Sequence, residues 1–162
     1  MKKILHNFGT VCIVLLASGC STVAQLPITY PDQISTLKAD KELSTFLMLS
    51  DAAGGLSPYA SGKKKGTLIV PTDDAYNRRG VEKMLEMLNP KNMTLSINSI
   101  KGQVLDGAFS PKDLEKNPTI KTLDGNVVTV SKAYNVWSFN DAKVIRMIRT
   151  KDGYVYVVNK AF

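Results

Sequence analysis

Apolar positions recur at three- and four-residue spacing in several segments, which predicts helices, and at two-residue spacing in the last segments, which predicts strands. Asp32 can cap a helix running through Ile34 and Leu37. Leu43, Phe46 and Leu47 continue the period until Gly54-Gly55 ends it. Val81, Met84, Leu85 and Leu88 predict a helix stopped at Asn89-Pro90, and Leu95, Ile97, Ile100 and Val104 predict another. Ser110-Pro111 reads as a cap followed by the first residue of a short helix. Beyond it, Thr119 to Leu123 and Asn126 to Val130 flank Asp124-Gly125, a strong hairpin signal. Val136 to Phe139 alternates, with Trp137 and Phe139 on one face and Val136 and Ser138 on the other. Lys143 to Ile148 and Tyr154 to Asn159 are expected to pair across Lys151-Asp152-Gly153, with Tyr154, Tyr156 and Val158 opposite Val155 and Val157.

Amid these segments, Gly66-Thr67-Leu68-Ile69-Val70-Pro71-Thr72-Asp73-Asp74-Ala75-Tyr76 is the stretch that organises the chain. Thr67 to Val70 form an uninterrupted β-favouring run that predicts a strand buried on both faces, ending at Pro71. Thr72 and Asp73 can accept from the free N–H groups of a following helix, and Asp73 and Asp74 place negative charge at its positive end.

The run Thr67, Pro71, Thr72, Asp73, Ala75, Tyr76 resembles the first signature of the fasciclin (FAS1) domain family. Leu105-Asp106-Gly107-Ala108-Phe109, then Leu123-Asp124-Gly125-Asn126, then Ala142 to Ile145 and Gly153 to Asn159 resemble its later segments, in the family's order. The resemblance implies a single mixed α/β domain over 32–162, a β-sandwich or wedge with several helices, and a structural rather than catalytic signature. It also has departures. Gly102-Gln103 stands where Tyr-His usually precedes the segment Val104 to Gly107, so the resemblance implies no adhesive receptor site there. Tyr156 and Asn159 replace a common terminal His and Asp.

The first residues read differently. Lys2 and Lys3, the apolar run Val11 to Ala17 and the small residues Ser18-Gly19 make 1–19 a signal peptide, too short to span a membrane with ordinary flanks. Leu15-Leu16-Ala17-Ser18-Gly19-Cys20 resembles the bacterial lipobox, with Ala17 in place of the usual Leu; this implies cleavage before Cys20 and its lipidation. An ordinary signal peptide with Cys20 as a spare thiol is the other reading. More than one acyl chain, at about 0.8 kcal/mol per buried methylene, would anchor the protein stably. Taking the cell to be a Gram-negative bacterium, Ser21 rather than Asp after the cysteine implies transport to the outer membrane. Residues 20–31 then form a lipidated tether; the alternation of Leu26, Ile28 and Tyr30 leaves a docking arm for another sheet edge as a second reading.

Composition narrows the chemistry. At 162 residues with 44% apolar side chains, one domain with a genuine core is expected. Cys12 and His6 leave with the leader and Cys20 is acylated, so the processed chain would hold no disulfide, no thiol nucleophile, no histidine triad and no histidine metal site. No cofactor loop is visible. The carboxylates Asp73, Asp74, Asp106, Asp113 and Asp124 sit at expected caps and turns, so the chain reads as no enzyme. Loss of Lys2 and Lys3 lowers the formal charge from +7 to +5, which reads first as solvated lysines giving solubility and otherwise suits anionic lipid, acidic polysaccharide or an acidic protein, while export argues against nucleic acid. The binding candidates are Lys63, Lys64 and Lys65 on a loop, or simply a solvated turn, and Trp137, or simply a core residue. The expected function is a membrane-anchored, non-enzymatic binding module of the envelope, adhesive or joined to other envelope proteins or extracellular polymer. The alternative is an accessory lipoprotein of a multiprotein envelope complex such as a secretion-system outer-membrane assembly.

Overall fold

A computed structural model describes residues 30–59 and 65–162; the leader, Cys20, most of the tether, Lys63 and Lys64 lie outside the described residues. The centre of the fold is a pair of strands, β1 (Gly66–Pro71) and β7 (Gly153–Val158), which run parallel in the register Gly66 to Gly153 through Pro71 to Val158. Side chains alternate along each strand, and here both faces are covered. Leu68, Val70, Val155 and Val157 enter one apolar cluster, while Ile69, Tyr156 and Val158 enter a second on the opposite face. Each fully buried aliphatic side chain contributes about 1.5–3 kcal/mol, so this pair concentrates the hydrophobic stabilisation.

The first cluster is roofed by helices. α1 (Gln33–Ala39), α2 (Ser44–Ala52), α3 (Asp73–Arg79), α4 (Val81–Leu88) and α5 (Met93–Lys101) supply Leu37, Phe46, Leu49, Tyr76, Met87 and Ile100 to it. The second cluster is wrapped by the rest of the sheet: β2 (Val104–Leu105), β3 (Thr119–Lys121), β4 (Val127–Ala133), β5 (Val136–Phe139) and β6 (Ala142–Thr150), with α6 (Pro111–Lys116) contributing Leu114. The strand order is β2-β1-β7-β6-β5-β4-β3, and every pair except β1 with β7 is antiparallel. The sheet nearly closes on itself. A bridge between Leu105 and Thr122, with Asp106 N–H donating to Lys121 O and Leu123 N–H to Val104 O, joins its first strand to its last. Two limbs of one curled sheet thus face each other across the second cluster, which is the expected wedge.

Local signals account for the joints. Thr72 Oγ1 accepts from Ala75 N–H at 3.1 Å as the N-cap of α3. Ser110 and Asp113 form a reciprocal capping box on α6 with Pro111 at its start. Gly125 has a φ of +90° in the β3–β4 hairpin. Along β6, strand β5 pairs only at Ala142 and Lys143, and among the described residues the outer edge beyond is unpaired. A bulge between Val144 and Arg146 together with the charges of Arg146 and Arg149 discourages further strand addition there.

Three expectations need correction. Asp73 does not cap its own helix: its carboxylate accepts from Thr45 N–H at 2.7 Å and Ser44 hydroxyl at 2.6 Å, satisfying the start of α2 instead. Val104 is not the end of a helix, because α5 stops at Lys101 and Val104 pairs with Leu68 in β2. On α4, Val81 and Leu85 are exposed and Met87 is the fully buried residue, because α2 and α5 pack on a different flank from the one the spacing picks out.

The strands start at a tight seam. Gln33, buried at the start of α1, donates from Nε2 to Gly66 O at 3.0 Å and to Tyr154 O at 3.1 Å, and its N–H donates to Asp152 at 2.9 Å. Gly153 has a φ of +144°, and a Cβ there would lie 1.8 Å from Gly66 O. Gly153→Ala is expected to cost at least about 2 kcal/mol in a urea unfolding experiment; an unchanged midpoint would contradict this seam. Asp32 caps α1 by accepting from Ser35 N–H at 2.7 Å. That bond, with the Ser35 hydroxyl and Lys151, lowers its pKa from 3.8 to about 2. A depressed carboxylate stabilises the fold fully above its unfolded pKa and loses that contribution as pH falls through the folded value. Stability should therefore fall more steeply from about pH 4 to about pH 2 in the parent protein than in Asp32→Asn, and parallel curves would refute the assignment.

Candidate binding groove

Of the family-signature residues, Thr67, Pro71, Thr72, Ala75 and Tyr76 are buried, Asp73 and Gly107 are half-buried, and Gly125 is exposed in the β3–β4 hairpin. Thr67 Oγ1 accepts from Phe109 N–H at 2.8 Å, and the Tyr156 hydroxyl donates to Phe109 O at 2.8 Å, pinning the segment that begins with Gly107 against β1 and β7. Burial holds the Tyr156 phenol well above the usual tyrosine range, with the neighbouring Tyr154 and Asp113 adding to it. Tyr76 is fully buried, and its hydroxyl donates to Gln103 Oε1 at 3.0 Å. Burial likewise pushes the Tyr76 phenol far up, so it stays a neutral donor. Gln103, itself 1% exposed, also donates to Ser99 O at 3.2 Å. Sequence reasoning noted Gln103 only as a departure; its role depends on Tyr76, 27 positions away.

The surface candidates are scattered. Lys65 is exposed beside a small cavity of about 120 Å³, and Lys63 and Lys64 lie outside the described residues. Trp137 is half-buried against the second cluster, with the Lys132 ammonium 4.8 Å from its ring centroid. Nothing brings Lys65 and Trp137 to one cavity. Among the described residues there is no group of three His, Cys, Asp or Glu that could hold a metal ion, and no helix is long and apolar enough to cross a membrane.

A larger concavity lies elsewhere. Two cavities of about 520 and 570 Å³ both reach Arg79, at the C-terminal end of α3. The first lies between α5 and the β3–β4 hairpin and is lined by Asn98, Ser99, Asp124, Asn126 and Asn140, with Leu95, Val127 and Phe162 as its apolar part. The second lies between α3 and the last residues, among Arg78, Lys143, Asp141 and Lys160.

Its electrostatics are uneven. Arg78 is held by Asp74 and by Asn159 O, the latter at 2.7 Å, and Lys160 by Asp141. The Lys160 contact keeps the Asp141 carboxyl below the usual range. Partial burial would raise Asp124, but bonds from the Thr122 hydroxyl and from Asn126 outweigh it and leave this carboxyl below the ordinary value too. Among the described residues, Arg79 and Lys143 have no carboxylate within ion-pair distance. The groove therefore carries, among the described residues, two cations without an ion-pair partner, beside the Asp124 carboxylate and neutral amides and hydroxyls. Sequence reasoning missed it because its walls come from α3, α5, the β3–β4 hairpin and the chain's last residues. Arg78 and Arg79 lie in the last turn of α3, where cations complement the helix dipole.

Comparison with known proteins identifies the architecture. The family profile for the Fasciclin domain matches residues 41–162. No curated protein matches the sequence. Among solved structures, the FAS1 domain pair of the insect cell adhesion molecule Fasciclin I is similar, with a TM-score of 0.73 and 15% identity over 85% of this chain. The alignment spans 52% of that chain, about half its length. With most of the sequence matched by the family profile, this chain belongs to the fasciclin (FAS1) domain family.

Proposed function

We propose that this protein is a membrane-anchored, non-enzymatic binding module of the bacterial cell envelope, held through a lipidated Cys20 and acting by noncovalent contact. The observation that carries the reading is the order of parts: a lipobox-like Leu15 to Cys20, then a short proline-containing segment, then a FAS1 domain from residue 41 onward. Acyl chains supply membrane residence, the segment supplies reach, and the domain supplies a rigid surface. FAS1 domains serve as adhesion and protein-binding modules, and this supports binding over catalysis. The expected partners are other envelope proteins or extracellular polymer.

An accessory subunit of a multiprotein envelope assembly is a second reading, and Gln103 favours it. This residue stands in the region the resemblance associates with receptor contact, yet its side chain is buried against Tyr76 and Ser99. The domain would then meet its partners through other faces.

In cells, detergent phase partitioning should place the parent protein in the detergent-rich phase and Cys20→Ser in the aqueous phase. In-cell crosslinking should capture envelope neighbours with the parent protein. A parent protein found in the aqueous phase with its leader uncut would refute the anchored reading.

A further inference from the structure

We propose that the groove around Arg79 binds an acidic polysaccharide, with a uronate carboxylate on Arg79 and Lys143 and adjacent sugar hydroxyls on Asn98, Ser99 and Asn140; this rests on reading the domain as an envelope binding module. The two cavities are each within the size range of small-ligand sites, about 300–1,000 Å³. Both touch Arg79 and both open to solvent. A polymer can pass from one to the other across that residue, whereas a compact small molecule would use only one.

The chemistry on the walls selects the ligand. The Arg79 guanidinium, the Asn98 amide and the Ser99 hydroxyl make no hydrogen bond to the described protein. The Asn140 side chain is oriented by accepting from Thr129 N–H at 2.9 Å through Oδ1, which leaves its Nδ2 donors available. Asp124 supplies a carboxylate acceptor. Separated neutral donors, an acceptor and an apolar strip at Leu95, Val127 and Phe162 match a chain of rings with hydroxyl edges and C–H faces. A planar guanidinium matches a carboxylate through two parallel bonds, and Lys143 adds a second positive charge.

The same walls disfavour other anions. Among the described residues, Asp124 carries a charge with no ion-pair partner in one half, whereas Asp141 in the other is paired with Lys160, so a polyphosphate or nucleic acid, with dense charge along its whole length, would meet repulsion at Asp124 beside Arg79. A uronate polymer spaces its charges one per ring. It can place a carboxylate at Arg79 and present only hydroxyls to Asp124.

The test is calorimetric titration of the full-length protein in detergent micelles with a galacturonic acid hexamer, a neutral glucose hexamer and poly-glutamate. Saturable binding of the uronate hexamer is expected, with the neutral hexamer weaker by at least about tenfold. Arg79→Gln and Lys143→Gln should each weaken binding at least about fivefold, and Asn98→Ala about threefold, with unchanged circular dichroism. Lys112→Gln, which removes the same charge from exposed α6, should leave affinity within about twofold. Absence of saturable uronate binding, equal weakening by Lys112→Gln, or poly-glutamate binding as tightly as the hexamer would each overturn the proposal. Detergent partitioning and crosslinking read the anchored module separately, so such a failure is distinguishable from failure of that broader reading.

Discussion

Two parallel strands covered on both faces are the constraint from which the rest of the molecule follows. Leu68 and Val70 on β1 and Val155 and Val157 on β7 need a roof of helices, while Ile69, Tyr156 and Val158 need a second apolar layer behind them. A strand pair of this kind cannot be left at an edge with one face in water. The segment before β1 supplies α1 and α2 to the helical roof, and the chain between the two strands adds α3 to α5 over the same face and curls β2 to β6 around the other. The parallel pairing also requires a long connection, and that connection contains most of the domain.

The corner after β1 makes this arrangement specific. Pro71 ends the strand, Thr72 starts α3, and Asp73 reaches sideways to the start of α2. One tripeptide therefore fixes a strand end and two helix starts, and each helix start would otherwise leave backbone N–H groups without partners. Tyr76 then buries its ring in the first cluster and gives its hydroxyl to Gln103, whose backbone carbonyl accepts from Ile69 N–H at 2.8 Å. The family signature is a packing and hydrogen-bonding device. The exposed groove is built from residues around it, at the end of the same α3 helix that the signature starts.

How legible each feature was depends on how far apart its determinants lie. The Thr72 cap, the Ser110 to Asp113 box and the Asp124-Gly125 hairpin are decided within a few residues, and their residue types announce them. The alternation of Tyr154 to Val158 is equally local. Asp73 was misread because two helix starts compete for one carboxylate and only the tertiary arrangement decides between them. Val81 and Leu85 have the spacing of a buried stripe, yet the neighbours of α4 cover Met87 instead. Gln103 as partner of Tyr76, and the meeting of Arg79 with Asn98 and Asn140, join segments distant in sequence, and no periodicity encodes them. Trp137 shows the same limit, since its half-burial depends on the second cluster.

The central claim is that β1 and β7 form the last part of the domain to open, with the helical roof and the β3–β5 limb depending on them. Native-state hydrogen exchange tests it most directly. The account predicts that the slowest amides of Leu68 to Val70 and Val155 to Val157 exchange only through global unfolding, while those of α4 exchange through smaller openings. Exchange of the β1 and β7 amides as fast as those of α4 would contradict it.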